Sequence, residues 1–292
     1  MIELTSNTVR LSFDPGLGMI ESFQVADGET NIAPLHRAPW AGTNEKLPED
    51  AAPHLLKLGG DFFCAPFGST EGNSPIHGWP CNSPWSLKEC TDQNLRAELD
   101  KPVFGAKLCK EITLRDGHPF VYQRHTFIGG KGSVPVSNHA NVSLPNGGVI
   151  RTSPKLMWKT PRTALEPDPT RGRSGLQYPA ESKTLMSFPG LKGDTDLTRY
   201  PWFRNCEDFV VGVDAPGQVF GWTAVMRPVE RDVFLSLKLT RDIPMTMLWH
   251  SNGGRDYPPW SGRHFGCLGV EEGAASSVLG IEDDAGLSGR GF

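Results

Sequence analysis

A histidine and a glutamate, far apart in the sequence, are the residues of this chain best suited to acid–base chemistry. His139 lies in the segment Ser137–Asn141, and Glu271 lies in the segment Gly269–Gly273. Both segments are typical of a β-strand or a strand edge. An imidazole facing a carboxylate can donate a proton at one point of a substrate and accept one at another. The pair predicts proton transfer but does not by itself define a reaction.

Two further segments narrow the choice. Residues 76–85 read Ile-His-Gly-Trp-Pro-Cys-Asn-Ser-Pro-Trp, and residues 59–68 begin with Gly-Gly and end in Phe-Gly. Taken in order, the four segments resemble the galactose mutarotase (aldose 1-epimerase) family. That family shows His-Gly-Phe-Ala-Arg before Pro-Trp, then Asn-His-x-x-Phe-Asn, then a Glu in an apolar strand near the C-terminus. The resemblance spans residues 59 to 273 and therefore covers most of the chain.

The resemblance implies a fold and an activity. The fold would be all-β, a large antiparallel twisted β-sandwich called a supersandwich, with the site in a cleft on one sheet. The activity would be interconversion of the α and β anomers of a monosaccharide by ring opening, an isomerase reaction. His139 would protonate the ring oxygen, Glu271 would take the proton of the anomeric hydroxyl, and His77 would hydrogen-bond the ring or a nearby hydroxyl. No cofactor and no metal is implied.

Departures from the family pattern bear on the substrate. Leu58 stands before Gly-Gly where many relatives that handle hexose phosphates have arginine, and Cys81 replaces the arginine of His-Gly-Phe-Ala-Arg. Because arginine is a natural phosphate ligand, its loss at both positions favours an unphosphorylated sugar. Arg37 and Arg255 are candidates for a compensating charge, with an ordinary surface position as the alternative.

Other residues are candidates for binding sugar hydroxyls or sugar faces. Asp61 follows Gly-Gly and is suited to hold paired hydroxyls, with a turn-capping role as the alternative. Trp79 belongs to the same matched segment as His77. Asn252 lies with Arg255 in a turn-rich, aromatic segment, residues 249–260, whose alternative role is a surface loop covering core.

Two adjacent glutamates cannot both line one cleft. Glu271 and Glu272 are consecutive, and consecutive side chains of a strand point to opposite faces of its sheet. The resemblance selects Glu271. Glu272 is then expected to be solvated or in a salt bridge.

Composition excludes several classes of function. The 292-residue chain has a net charge of −4, which indicates no general attraction to nucleic acid or acidic membranes. The six cysteines form no Cys-x-x-Cys pair, and no His-x-His or His-Glu-x-x-His occurs, so no metal site is expected. The N-terminus lacks the features of a secretory signal, and no apolar run is long enough to span a membrane. We therefore expect reduced thiols and a cytoplasmic location.

Strand patterns dominate the chain, which we expect to form one domain, residues 1–292. Val9–Phe13 and Val233–Leu239 alternate with period two, and the leucines of the second run are expected to face a core. Asp116-Gly117 predicts a hairpin between two strand-like runs. Residues 218–225 and 246–250 read as further strands, 49–58 as a short helix, and 160–202 as a long surface excursion with a strand at 184–188.

Three functions are compatible with these patterns. The first is an aldose 1-epimerase-like enzyme acting on a monosaccharide, as a monomer or a homodimer. The second is a non-catalytic carbohydrate-binding or sensing protein on the same fold. The third, a glycoside hydrolase or lyase, is disfavoured because the chain has no segment the size of a helical barrel.

Overall fold

The computed structural model describes residues 1–68 and 73–279. These residues form nineteen strands. In chain order they are β1 (Ile2–Thr5), β2 (Val9–Asp14), β3 (Met19–Asp27), β4 (Thr30–Ile32), β5 (Asp61–Cys64), β6 (Trp85–Cys90), β7 (Asn94–Leu99), β8 (Ala106–Thr113), β9 (Tyr122–Gly129), β10 (Val136–Ser143), β11 (Gly148–Thr152), β12 (Lys155–Lys159), β13 (Glu181–Ser182), β14 (Arg199–Tyr200), β15 (Cys206–Asp214), β16 (Phe220–Arg227), β17 (Asp232–Leu239), β18 (Met245–Asn252) and β19 (Cys267–Ala274).

The strands form three antiparallel sheets. The large sheet has eleven strands in the order β1-β2-β3-β5-β10-β19-β18-β15-β12-β13, with β4 paired to β3. Two four-stranded sheets have the orders β6-β7-β8-β9 and β14-β11-β16-β17. This is the predicted all-β, antiparallel sandwich.

The large sheet has two chemically different faces. Its inner face packs on both small sheets, through one core with Phe63 and Leu108 and another with Val142 and Val225. Its outer face carries Phe62, Phe209 and Trp249, among others, and is covered by loops rather than by a sheet. Because side chains alternate along each strand, every strand of this sheet contributes to both faces.

Most strand predictions are confirmed. Val9–Phe13 is β2, residues 218–225 overlap β16, and residues 246–250 lie within β18. The Asp116-Gly117 turn joins β8 to β9, which pair antiparallel. The short helix expected at 49–58 is a 3-10 turn at Pro53–Lys57. Two more 3-10 turns lie at Trp79–Cys81 and Ser276–Leu279.

Two predictions are wrong. The strand expected at 184–188 does not form, and the excursion 160–202 contains only the two-residue strands β13 and β14. The orientation of β17 is reversed, because Val233 and Leu237 are each 57% exposed while Lys238 is buried. Lys238 faces inward because buried carboxylates of the large sheet pair with it, at distances given below.

Two expectations concern chemistry outside the sheets. All six cysteines, each within the described residues, are free thiols, as expected. Among the described residues no helix is long and apolar enough to cross a membrane.

Candidate active site

The imidazole and the carboxylate lie side by side on the outer face of the large sheet. β10 and β19 are antiparallel neighbours, and their register places His139 directly opposite Glu271. His139 Nε2 lies 3.2 Å from Glu271 Oε1. The two residues are only 4% and 1% exposed, respectively. The sheet therefore brings the two sequence-predicted proton-transfer groups into direct contact beneath a cover of other side chains.

Three aromatic rings surround the histidine of this pair. Phe62 stacks on His139, with ring centroids 4.5 Å apart and planes 25° apart. His77 and Trp249 approach it edge-on, at centroid distances of 5.7 Å and 5.6 Å. These contacts restrict the imidazole to one orientation, with Nε2 toward Glu271.

His77 reaches the pair from a loop through an unusual backbone path. His77 has a φ of 68°, and Gly78 follows with a φ of 74°. A Cβ on Gly78 would lie 1.9 Å from the carbonyl oxygen of Ala65, so only glycine allows this approach to β5. The loop geometry thereby brings His77 within contact distance of His139.

A second glycine makes room for the aromatic cover. A Cβ on Gly269 would lie 2.8 Å from Glu271 Oε1 and 2.9 Å from Trp249 Cβ. Without a side chain at Gly269, the Trp249 ring and the Glu271 carboxyl fit side by side.

Burial shifts both members of the pair toward their neutral forms. It raises the pKa of Glu271 well above its usual value. It lowers the pKa of His139 to about 3, and neighbouring His54 lowers it further. Both shifts favour a protonated carboxyl group beside a neutral imidazole in the ligand-free protein.

Buried polar atoms around the pair lack partners. Glu271 Oε2, His139 Nδ1 and His77 Nδ1 are buried and make no hydrogen bond within the described residues. Buried polar groups are almost always hydrogen-bonded, so unpartnered atoms on three residues in contact with one another indicate capacity for a polar ligand. Sugar hydroxyls are ligands of that kind.

Glu272 lies on the inner face, in a different environment. Its carboxylate contacts Lys238 Nζ at 2.8 Å and accepts hydrogen bonds from Thr223 and Thr246 at 2.7 and 2.6 Å. Burial alone raises the pKa of Glu272, but Lys238 and Lys155 outweigh it and place the pKa below the usual value. Of the two expectations for this residue, the salt bridge is the one that the structure shows.

A second polar cluster lies on the outer face, across the Trp249 ring from His139. Glu207 accepts hydrogen bonds from Trp249 Nε1 and Ser251 Oγ. Arg255 Nη2 lies 3.1 Å from Glu207 Oε1, and its guanidinium stands 4.4 Å from the centroid of the Trp260 ring. Of the predicted sugar-binding residues, His77 and Arg255 therefore lie near the pair.

The other four predicted sugar-binding residues lie elsewhere. Asp61 points to the inner face, where both carboxylate oxygens accept from Asn138 Nδ2 at 3.0 Å. Asn252 also points inward and donates to the carbonyl of Phe203 at 2.9 Å. Strand alternation turns both side chains away from His139, to the opposite face of the sheet.

Trp79 and Arg37 are separated from the pair in other ways. Trp79 packs against the core under the β6–β9 sheet, and Lys101 Nζ covers its ring at 3.7 Å. Arg37 is exposed and lies 3.8 Å from Glu21. No contact in the described part of the chain links either residue to His139 or Glu271.

Sequence inspection missed Glu207, His36 and His264. Glu207 lies in strand Cys206–Asp214 directly before Asp208 and an apolar run at residues 209–213, and two acidic residues next to such a run were a usable signal. His36 and His264 come from loops distant in sequence, and no pattern indicated that their rings would meet, with centroids 4.8 Å apart.

Comparison with known proteins supports the fold assignment. The sequence matches no protein-family model and no curated protein. Among solved structures, a galactose mutarotase related enzyme from Lactobacillus acidophilus aligns with a TM-score of 0.59 at 13% identity, covering 100% of this chain and 94% of that one. A candidate aldose 1-epimerase from Escherichia coli K12 aligns with a TM-score of 0.55 at 14% identity, covering 93% of this chain and 86% of that one. The GalM/aldose epimerase homologue from C. elegans aligns with a TM-score of 0.53 at 12% identity, covering 100% of this chain and 95% of that one. The chain thus has the galactose mutarotase-like β-sandwich fold.

Proposed function

We propose that this protein is an aldose 1-epimerase-like isomerase that interconverts the anomers of an unphosphorylated monosaccharide. The observation that carries the proposal is the His139–Glu271 contact of 3.2 Å on the outer face of the large sheet. The unpartnered atoms beside it supply hydrogen-bonding capacity for sugar hydroxyls.

The chemistry needs one acid and one base, and the pair supplies both. Ring opening moves a proton off the anomeric hydroxyl while the ring oxygen gains one. With Glu271 as the base and His139 as the acid, the pair gives up one proton and receives one, so it ends with the same total. Ring closure after rotation about the adjacent carbon–carbon bond reverses the transfers and yields the other anomer.

Substrate binding would set the charges that these roles require. Burial in the ligand-free protein favours a neutral carboxyl group and a neutral imidazole, whereas catalysis requires a carboxylate and an imidazolium. The neutral pair and the carboxylate–imidazolium pair carry the same total number of protons, so no exchange with solvent is needed to move between them. Hydrogen bonds from sugar hydroxyls to Glu271 Oε2 would stabilise the carboxylate and favour transfer of the proton to His139.

A sugar reaches the pair only if the side chains that cover the outer face move apart. The pair is buried, and Trp40, Trp260 and Phe67 pack in the same core cluster. In the reactive complex the sugar would lie between His139 Nε2 and Glu271 Oε1 and replace their direct contact.

Exchange spectroscopy tests the proposal directly. Magnetisation exchange between the α and β anomers of a panel of free aldoses would be measured by NMR with and without protein. A no-protein sample corrects for spontaneous exchange. The proposal requires at least one sugar whose exchange accelerates in proportion to protein concentration, and acceleration of none would overturn it.

A non-catalytic carbohydrate-binding protein on the same fold is the alternative. The closed packing over the pair favours it, because a direct His139–Glu271 contact leaves no sugar between the two groups. Calorimetric binding of a sugar whose anomer exchange the protein does not accelerate would identify this function.

Phosphorylated hexoses should bind no better than the matching free sugars. Among the described residues, Arg255 is the arginine that contacts the Trp249 ring beside the pair, and Glu207 already engages its guanidinium. Leu58 and Cys81, which stand where the family pattern has arginine, are buried and apolar. Titration calorimetry with a hexose and its 6-phosphate checks this. A clear preference for the phosphate would show that Arg255 leaves Glu207 or that Arg37 turns inward.

The cellular location and the oligomeric state of the protein remain predictions. The free state of all six cysteines supports a reducing compartment such as the cytoplasm. The choice between a monomer and a homodimer, and the absence of nucleic-acid and membrane partners, rest on the sequence arguments above.

A further inference from the structure

Three atoms that commonly bind transition metals meet on the outer face of the large sheet. They belong to His36, His264 and Cys267, and all three lie within 4.8 Å of one another. His36 Nε2 and His264 Nε2 are 3.2 Å apart. His264 and Cys267 are buried. Two imidazoles and one thiol form a donor set suited to zinc and related ions.

The backbone holds each ligand in place independently of any ion. The amide of His36 donates to the carbonyl of Asn141 at 2.7 Å, and its carbonyl accepts from Gly60 at 2.8 Å. The carbonyl of His264 accepts from the amide of Gly253 at 2.7 Å. Cys267 is the first residue of β19. The ligands therefore come from three anchored positions rather than from one mobile loop.

Hydrogen bonds behind His264 orient its ring as a metal site would require. Ser251 Oγ donates to Glu207 Oε2 at 3.0 Å and lies 2.7 Å from His264 Nδ1. With its own proton directed to Glu207, Ser251 Oγ accepts from Nδ1–H. Nε2 then carries a lone pair that points toward His36. A second group that fixes the ring nitrogen opposite the ligand nitrogen is typical of metal-bound histidine.

We propose that His36, His264 and Cys267 bind one divalent transition-metal ion of the zinc class. In a tetrahedral zinc site with Zn–N bonds of about 2.0–2.1 Å, the two nitrogens lie roughly 3.4 Å apart, close to the separation found here. The thiolate must move by about 1 Å to complete the site, because zinc–sulfur bonds are about 2.3 Å long. A fourth position stays open for water or another ligand.

The bound ion would link two of the segments that cover the outer face. His36 precedes Trp40 in one covering segment, and His264 follows Trp260 in the loop between β18 and β19. The rings of Trp40 and Trp260 meet edge-on with centroids 5.2 Å apart, and Trp260 approaches Trp249 at 5.9 Å. Cross-linking the two segments through one ion would stabilise this aromatic layer. The inference does not depend on the isomerase activity, because it concerns metal affinity alone.

Metal titration of the full-length protein tests the proposal. Chelator-treated protein carrying Cys90→Ser, which removes an exposed thiol, would be titrated with Zn²⁺ by calorimetry and with Co²⁺ by visible absorption. We expect one equivalent of either ion, and for Co²⁺ the intense bands of a tetrahedral site together with a thiolate-to-cobalt charge-transfer band. Absence of stoichiometric binding would show that the two histidines simply hydrogen-bond each other and would overturn the proposal.

Variants in the same background assign the ligands. His264→Asn and Cys267→Ser should each abolish the charge-transfer band, and Ser251→Ala should weaken binding about 10–100-fold. His118→Asn and Cys109→Ser, at a histidine and a thiol outside the cluster, are matched controls that should bind as the background does. Full binding by Cys267→Ser, with circular dichroism showing a folded protein, would contradict the assignment. If the ligand variants fail to fold, the cobalt spectrum of the background protein decides alone, since only a thiolate ligand produces that band.

Discussion

Replacing Glu271 by Gln should slow protein-catalysed anomer exchange by roughly 10²–10⁴-fold, and His139→Asn should have an effect of similar size. Each change keeps the approximate shape of the side chain and removes one of the two proton-transfer groups. NMR exchange spectroscopy on the sugar that the wild-type protein accelerates most provides the measurement. Sugar binding by calorimetry should largely survive in Glu271→Gln.

The adjacent carboxylate is the matched control for this experiment. Glu272→Gln changes the same functional group one residue away, but on the opposite face of β19 and with Lys238 as its partner. At a temperature where circular dichroism shows the variant folded, its exchange rate should match that of the wild type. Loss of activity in Glu272→Gln with retention in Glu271→Gln would contradict the proposed base.

Combining the two substitutions sharpens the test. Groups that act as one unit have non-additive effects, so the double variant His139→Asn/Glu271→Gln should be about as slow as either single variant. Multiplicative losses would mean that the residues act at separate steps and would contradict a shared proton.

Replacing Lys238 by Met should destabilise the protein by about 3–5 kcal/mol. Lys238 Nζ lies 3.0 Å from Asp214 Oδ2 and 2.8 Å from Glu272 Oε2, and all three side chains are at least 95% buried. Lys155 completes this cluster through its ion pair with Asp214. Met keeps the apolar length of the side chain but leaves two buried carboxylates with one ammonium between them. Urea unfolding followed by circular dichroism would measure the free energy of unfolding.

Two further variants separate lost charge from lost packing. Lys238→Met/Glu272→Gln removes one charge of each sign, so it should be more stable than Lys238→Met alone. Lys107→Met, which removes an exposed partner of Glu98, should change the free energy of unfolding by no more than about 1 kcal/mol. A Lys238→Met protein within 1 kcal/mol of wild type would show that the buried cluster contributes little to folding.

The local sequence pattern predicted which residues form strands, but it did not predict which face of a strand is buried. Period-two alternation located β17 correctly, since alternation is a property of the strand itself. It predicted that the leucines would face inward, yet Leu237 is exposed and Lys238 is buried. Burial of a lysine is tolerated only because Asp214 and Glu272 come from other strands to pair with it, and no local pattern contains that information.

Within the candidate site, the sequence pointed to the two candidate proton-transfer residues, whereas only the folded chain shows which other residues lie beside them. His139 and Glu271 stood out because motif order and residue chemistry are both visible along the chain. Strand pairing then placed β10 beside β19, which put the two side chains in contact and turned Asp61 and Asn252 to the opposite face. The contacts of His36, His264 and Glu207 depend on loops that meet only after the sheet has formed. Contacts between residues this far apart in sequence arise from packing of the whole chain, which a local sequence pattern does not encode.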